Sequence, residues 1–504
     1  MSKGNSYRQI LRSSSIIGGA SVINILVGLL RMKVAAVLLG PAGIGLIGLL
    51  QSLLATASAV SAMGVGMVGT RQIAEASGRD DTASVTAARR ALFWGTLALA
   101  MIGAIVFWSF RDALAMWLLA DGEYASAIGW LSVGVALTVA SGSQGALLNG
   151  LRRIGDIARI SVMSALLSTA LGMAALWLWS DKGVLAFVLV TPLASFLFGH
   201  WYVAKLPKVQ GPATPLPQLM AQCRTLVRLG APFMVSALVV TFGQLAVRTL
   251  VQSELGANAL GHFQAAWMIS MTYIGFVLGA MATDYYPRLT ATIHDHATVN
   301  RLVNEQTEVA LLLAGPIFLP MIGLAPWVIE LLYSNSFHAA ADVLSWLVLG
   351  DILKLASWPL GFIILAAGDG RTFMLTEFLA AGVFVLLTWL VLPLMGVVGT
   401  GMAFVGMYMV YLPMVYWLAR RKTGFRWVAT VWQLVGWLVL AAVALVGAAK
   451  WSALAGAAAG LIMSASLGLY SFSRLAHKTS LTGQLGRLAR FCRRWLMKIG
   501  VRID

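Results

Sequence analysis

Charged residues are scarce in this sequence: Asp, Glu, Lys and Arg make up only 11% of its 504 residues, whereas 59% are hydrophobic. Soluble domains carry about 25% charged residues, so the chain lacks the polar surface of a water-soluble protein. Acidic residues are fewer than basic ones, and the net charge is +17. In so apolar a chain this excess indicates membrane orientation and attraction to anionic lipids rather than nucleic-acid binding. We therefore predict a membrane protein whose partners include membrane lipids and no nucleic acid.

Signatures of ATP use and of metal catalysis are also missing. No Gly-Lys dipeptide occurs, which excludes the P-loop of ATP-driven transporters, and there is no His-Glu-x-x-His zinc motif. We therefore expect no cofactor, no metal site and no catalytic residue. The protein is expected to be a transporter and not an enzyme. Its energy would come from a coupling ion, H⁺ or Na⁺, or from consumption of the transported molecule outside.

Cysteine is nearly absent as well. The two copies, Cys223 and Cys492, both fall in basic segments that are expected to face a reducing compartment. No disulfide is expected there, because thiols stay reduced in the cytosol.

Long apolar segments separated by short loops fill most of the chain. A helix needs about 20 mostly apolar residues to cross a bilayer, and fourteen segments meet that criterion. We therefore predict an all-α polytopic membrane protein with about 14 transmembrane helices. The predicted segments are residues 13–39, 43–68, 91–110, 127–149, 157–179, 183–203, 229–255, 262–283, 308–332, 342–368, 373–392, 397–419, 430–449 and 453–472.

Basic residues fall mainly in every second loop. With loops assigned alternately, 29 of the 36 lysines and arginines lie on one side, eight of them in the last 31 positions. The positive-inside rule assigns that side to the cytoplasm, so both termini are predicted to be cytoplasmic. Four basic residues lie within apolar segments instead, and loop topology does not explain them: Arg31, Lys33, Arg248 and Lys354.

The chain also repeats itself at an offset of about 216 residues. Leu39–Gly45 (LGPAGIG) resembles Leu255–Gly261 (LGANALG). Two further matches follow in the same order: Leu118, Leu119 and Tyr124 with Leu331, Leu332 and Phe337, and Gly150 and Arg152 with Gly368 and Arg371.

Six predicted helices separate the two copies, so both halves have the same orientation. They are expected to be related by a pseudo-two-fold axis along the membrane normal, with a site between them near the midplane. The predicted organisation is an N-lobe at 1–203 (helices 1–6), a cytoplasmic linker at 204–228, a C-lobe at 229–419 (helices 7–12), two extra helices at 420–473 and a basic cytoplasmic tail at 474–504.

The motif Arg31-Met32-Lys33 followed by Leu39–Gly45, with its copy at Leu255–Gly261, resembles the Wzx-type polysaccharide flippases of the multidrug/oligosaccharidyl-lipid/polysaccharide exporter superfamily. The resemblance covers roughly residues 8–420. It implies a protein of the bacterial inner membrane that moves an undecaprenyl-diphosphate-linked oligosaccharide, an O-antigen or related surface polysaccharide repeat unit, from the cytoplasmic to the periplasmic leaflet. Other polysaccharide-assembly proteins are then candidate partners. Family members often have 12 helices, whereas 14 is the number of the related lipid II flippases.

The four cations within apolar segments are the candidate substrate-binding residues. Arg31 and Arg248 fall at nearly the same predicted depth in matching helices of the two lobes. Arginine forms bidentate hydrogen bonds with phosphate oxygens, so Arg31, Lys33, Arg248 and Lys354 are predicted to line a cavity and bind the diphosphate. The alternative is that these side chains reach the membrane interface.

Acidic residues near helix centres and ends are candidates for ion coupling or gating. Asp351 lies one helical turn before Lys354, so the two could neutralise each other or form a switch that a proton or cation operates. Asp284 and Glu377 lie near predicted cytoplasmic helix ends, where a gate or simple interfacial solvation is expected. Glu308 is expected to begin a helix and to compensate its dipole.

Two other functions remain open at this stage. A cation-coupled multidrug exporter of the same superfamily would need acidic residues in its cavity. A membrane-embedded glycan polymerase or glycosyltransferase would need a carboxylate pair or a large outer loop, and the longest outer loop, near 111–126, is short. Trp267 and Trp358 fall inside helices, where they would stack on sugar rings or pack against neighbouring helices.

Overall fold

The computed structural model describes residues 3–79, 82–119, 121–207 and 215–478, with side chains from residue 18 to residue 475 at all but a few of these positions. All regular secondary structure in these ranges is helical, which confirms the all-α prediction. The helices are α1 (Lys3–Ala62), α2 (Val65–Gly78), α3 (Thr82–Ser109), α4 (Arg111–Leu119), α5 (Ala125–Gly150), α6 (Ile154–Trp179), α7 (Val184–Ala204), α8 (Leu216–Ala291), α9 (His296–Gly323), α10 (Ala325–Leu332), α11 (Ala339–Ala366), α12 (Gly370–Met395), α13 (Val398–Thr423), α14 (Ala429–Trp451) and α15 (Ala453–Lys478).

Within the described ranges, eleven helical spans are long and apolar enough to cross a membrane, so the protein is polytopic as predicted. Three of them greatly exceed the roughly 20 residues that one crossing needs. These are Gly18–Ala62, Ile154–Ala204 and Pro217–Gly279, with 45, 51 and 63 residues. If each of these crosses twice, the total is 14, and that number stays a prediction.

The chain divides into two compact units. The first contains Met1–Gly261 and Leu332–Ser336, and the second contains His262–Leu331 and Phe337–Asp504. Helix α8 begins in the first unit and ends in the second. The predicted lobes, linker and tail therefore stay predictions, and residues 208–214 of the linker and 479–504 of the tail lie outside the described residues.

Each unit has its own packed centre. In the first unit α5 packs against α1, α2, α3 and α7, and α6 packs against α1 and α7. In the second unit α11 is the central helix, with 83% of its spanning window buried, and it packs against α9, α13 and α14. Lipid is as apolar as leucine, so close van der Waals packing replaces the hydrophobic effect between such helices.

The repeated motif produces the same helix break twice. Gly40 interrupts α1 with φ 63° and ψ −167°, and Gly256 interrupts α8 with φ 81° and ψ 179°. Such angles are accessible to glycine and costly for residues with a Cβ. The second sequence match also coincides with similar local structure, because α4 and α10 are each followed by a short 3₁₀ turn, which ends at Tyr124 in one copy and at Phe337 in the other.

Within the first unit, the two copies of this motif contact each other. Gly45 lies against the backbone of Ala257 and Gly261, and Gly261 lies against the Pro41 carbonyl. A methyl group at either glycine would occupy space that already holds backbone atoms. Glycine at these positions therefore allows a close approach that any other residue would prevent.

Gly261→Ala is predicted to destabilise the protein by about 1–3 kcal/mol, the usual cost of overpacking a tight contact. Its Cβ would overlap the Pro41 carbonyl oxygen, and backbone cannot move aside as a flexible side chain can. The matched control is Gly275→Ala on the same helix, where a Cβ meets no atom within 4 Å. Thermal unfolding of the detergent-solubilised variants measures the difference, and equal stability of the two variants would contradict this account.

Candidate functional site

Arg31 lies in α1, nine residues before the break at Gly40, and is only 9% exposed. Its Nη1 donates hydrogen bonds to Ser168 Oγ at 3.3 Å and to Thr191 Oγ1 at 2.5 Å. Its Nη2 donates to the carbonyl oxygen of Phe187, and the guanidinium lies 4.0 Å from the centre of the Phe187 ring. Helices α6 and α7 thus hold the cation on three sides.

The charge of Arg31 has no acidic partner among the residues whose side chains are described. All of its hydrogen-bond acceptors are neutral, and its Nε has no partner among these described residues. A buried cation in a membrane-spanning segment is costly unless an anion or strong dipoles compensate it. The arrangement fixes the guanidinium in position without neutralising its positive charge.

Arg248 is also buried, with 4% of its surface exposed, and its Nη1 donates to the Gln244 carbonyl one turn earlier at 3.1 Å. It lies eight residues before Gly256, whereas Arg31 lies nine before Gly40. One residue along an α-helix is about 100° of rotation. The two arginines are therefore at nearly the same distance from their breaks but leave matching helices on different faces. Lys33 is half-buried, two residues after Arg31.

Asp351 is a completely buried carboxylate at the centre of the second unit. Its Oδ2 accepts hydrogen bonds from the hydroxyls of Ser270 and Tyr273 on α8, both at 2.6 Å. Its Oδ1 has no hydrogen-bond partner in the part of the chain that the structure describes. Sequence reasoning missed both donors, although their three-residue spacing places them on one helix face and could have indicated a shared contact.

Lys354 and Glu377 complete this polar cluster. The Lys354 ammonium lies 3.5 Å from Met271 Sδ and within electrostatic range of the carboxylates of Asp351 and Glu377. It makes no direct ion pair with either of them. Glu377 instead accepts a hydrogen bond from Tyr411 at 2.9 Å. Asp351 and Lys354, predicted to be neighbours, thus attract each other electrostatically without a direct ion pair. Hydroxyl groups donate hydrogen bonds to the carboxylates of Asp351 and Glu377.

The structure corrects the sequence interpretation of Glu308. Helix α9 begins at His296, where Asp295 accepts hydrogen bonds from the first amide groups, so Glu308 lies well inside the helix. It is 5% exposed, and its Oε1 lies 2.5 Å from Nε of Arg474. Arg474 was assigned to the basic tail, but it belongs to α15. The polar first turns of α9 lower the hydropathy there, which moved the predicted helix start too far along the chain.

Two further groups of candidates can be placed. Asp284 lies in α8, and its side chain is outside the described part of the structure.

Trp267 is 7% exposed, stacks on Phe384 and contacts the edge of Phe404, so no sugar ring can reach its faces in this conformation. Trp358 packs against Phe362 with ring centres 4.4 Å apart. Packing accounts for both tryptophans.

Comparison with known families gives one match to most of the chain. A model of the family described as polysaccharide biosynthesis protein matches residues 34–342. Two named relatives, the lipid III flippases of Escherichia coli (strain K12) and Shigella flexneri, are each 21% identical over 427 residues. Those matches cover 82% of this chain and 99% of each relative.

Solved structures share the fold. The lipid II flippase MurJ in an inward closed conformation superposes with a TM-score of 0.69 at 12% identity, covering 92% of this chain and 99% of that protein. An inward-facing multidrug resistance MATE transporter of the MOP superfamily gives 0.66 at 16% identity, covering 82% and 98%. At these identities the two solved structures show a shared fold.

Glu308→Gln is predicted to destabilise the protein by about 3–5 kcal/mol, because it leaves the buried Arg474 guanidinium without a counter-charge. The control is Glu75→Gln, which removes an exposed pair with Arg71 one turn away on α2 and should leave stability almost unchanged. Thermal unfolding in detergent compares the two variants. If both lose stability equally, the buried pair is not the stronger contact.

Proposed function

Because the chain belongs to the family of polysaccharide biosynthesis proteins, we propose that it is a flippase that moves a lipid-linked oligosaccharide across the membrane. The named lipid III and lipid II flippases support a transporter rather than a catalytic enzyme. The proposed substrate is an undecaprenyl-diphosphate-linked oligosaccharide, the repeat unit of O-antigen or of a related surface polysaccharide. It moves from the cytoplasmic to the periplasmic leaflet of the bacterial inner membrane, and both protein termini are cytoplasmic.

The observation that carries this proposal is the charge of Arg31, which neutral groups solvate and which no described carboxylate neutralises. A diphosphate is a dianion or more, and moving it through an apolar medium requires cations along its path. Arg31 is held by Ser168, Thr191 and Phe187 before any ligand arrives, so little conformational entropy is lost on binding. Lys33, Arg248 and Lys354 are the further cations proposed to bind the diphosphate as the lobes alternate between inward and outward access.

Energy coupling is assigned to the polar cluster of the second unit. Protonation of Asp351, or binding of Na⁺ to it, would remove the negative charge that attracts Lys354. Lys354 would then be free to attract the diphosphate, so ion binding and substrate binding would alternate. Glu377, which also attracts Lys354, and Asp284 are the other proposed coupling or gating residues.

A multidrug exporter is the second candidate. The fold shared with MATE transporters and the buried carboxylate Asp351 favour it, because carboxylates attract cationic drugs. A deletion strain separates the two functions. Loss of surface polysaccharide with unchanged drug resistance supports the flippase, and drug sensitivity with intact polysaccharide supports the exporter.

Arg31→Gln is predicted to reduce surface polysaccharide at least about tenfold in a complemented deletion strain, because hydrogen bonds to a charged group are lost. Arg31→Lys keeps the positive charge but loses the planar guanidinium that forms bidentate hydrogen bonds, so it should retain partial function. The control is Arg159→Gln, which removes an exposed cation on α6. Immunoblots of membrane fractions must show equal protein levels. Normal polysaccharide in the Arg31→Gln strain would refute the role of this cation.

Asp351→Asn is predicted to uncouple transport from the ion gradient, because an amide accepts the same hydrogen bonds but cannot ionise. In proteoliposomes, transport by the wild-type protein should respond to an imposed H⁺ or Na⁺ gradient, and transport by the variant should not. Asp342→Asn, on an exposed position of the same helix, is the control. If transport by Asp351→Asn responds fully to the gradient, Asp351 is not the coupling residue.

A further inference from the structure

A polar seam runs between α1 and α6 in the first unit. Asn24 Nδ2 donates to Ser161 Oγ at 2.6 Å, and Arg31 Nη1 donates to Ser168 Oγ at 3.3 Å. Both members of the second pair lie seven residues, about two turns, after those of the first. The two helices therefore run side by side in the same direction, with polar pairs at both ends of a stretch of about 10 Å.

Three polar atoms along this seam are buried and have no hydrogen-bond partner within the described part of the chain: Asn24 Oδ1, Ser164 Oγ and Arg31 Nε. Ser164 is 5% exposed and lies between Ser161 and Ser168 on the face that α6 turns towards α1. Unsatisfied polar groups are rare in protein interiors and costly within a membrane. The polar groups that α1 and α6 place along this seam are therefore only partly satisfied by each other.

The seam also contains open space. Gly28 lies four residues after Asn24 and three before Arg31, so all three residues lie on one face of α1. A Cβ built on Gly28 meets no atom within 4 Å. Because Gly28 has no side chain, the face of α1 is indented between Asn24 and Arg31, and this indentation forms a shallow cleft.

We propose that this cleft, lined by Asn24, Gly28, Ser161 and Ser164, binds the first sugar attached to the diphosphate. The inference rests on the proposed function, in which Arg31 binds the diphosphate itself. Amide and hydroxyl side chains offer both donors and acceptors, which is what sugar hydroxyl and acetamido groups need.

The proposal is tested with short-chain probes on the purified full-length protein. The probes are farnesyl diphosphate and the same diphosphate carrying N-acetylglucosamine or galactose, and affinities are measured by isothermal titration calorimetry in detergent. At least one sugar-bearing probe should bind the wild-type protein about tenfold more tightly than farnesyl diphosphate, the worth of one or two good hydrogen bonds.

Gly28→Leu is the decisive variant. Leucine fills the cleft, meets no atom at its Cβ and favours the helix, so the protein should fold normally. It should remove the advantage of the sugar-bearing probe and leave the affinity for farnesyl diphosphate within about twofold. Asn24→Ala should reduce the same advantage and provides a second variant if Gly28→Leu folds poorly. Gly19→Leu, on the opposite face of α1, also meets no atom and is the control.

The outcomes separate the inference from the proposed function. If farnesyl diphosphate binds and Arg31→Gln weakens it, but neither sugar adds affinity or Gly28→Leu binds every probe as the wild-type protein does, the seam holds only water and the inference is wrong. If no probe binds the wild-type protein, the proposed function itself fails. Selective loss of sugar recognition in Gly28→Leu and Asn24→Ala would establish the subsite.

Discussion

A charge within an apolar helix bundle must be compensated, and the described residues show three different ways of doing so. Glu308 and Arg474 neutralise each other in a direct ion pair. The Asp351 carboxylate is solvated by the hydroxyls of Ser270 and Tyr273. Arg31 is surrounded by neutral acceptors and an aromatic ring, so its net charge persists. These differences follow from the cost of removing an ion from water, which a low-dielectric medium raises sharply.

Glycine determines where the helices can break and how closely they approach. Gly40 and Gly256 take the same left-handed backbone conformation at matching positions of the two repeat copies, and each break lies shortly after a buried arginine. Arg31 lies nine residues before its break and Arg248 lies eight before its own. Both copies of the repeat therefore have the helix break, but the two arginines lie on different faces of their helices. Divergence of this kind allows the two halves to share a scaffold while their side chains take different roles.

Periodicity and composition carry the parts of this structure that depend on local patterns. Long apolar segments predict the helices, and the repeated motif identifies the two breaks, because both signals lie within a few consecutive residues. The Glu308–Arg474 pair could not be found in this way, since its members are 166 positions apart and each resembles an ordinary helix-end charge. Ser270 and Tyr273 are equally inconspicuous, because hydroxyl side chains occur throughout apolar helices. Such contacts are decided by which helices pack together, and no local pattern encodes that.

The choice of partners distinguishes a cation that binds a ligand from one that stabilises the fold. If Arg31 were paired with a carboxylate, an arriving diphosphate would have to displace that carboxylate and leave it buried without a counter-charge. Neutral acceptors hold the guanidinium without competing for its charge. Lys354 is in the opposite situation, because two carboxylates attract it. In the proposed mechanism it would bind an anionic ligand only after Asp351 or Glu377 is neutralised, and this dependence would link ion binding to substrate binding.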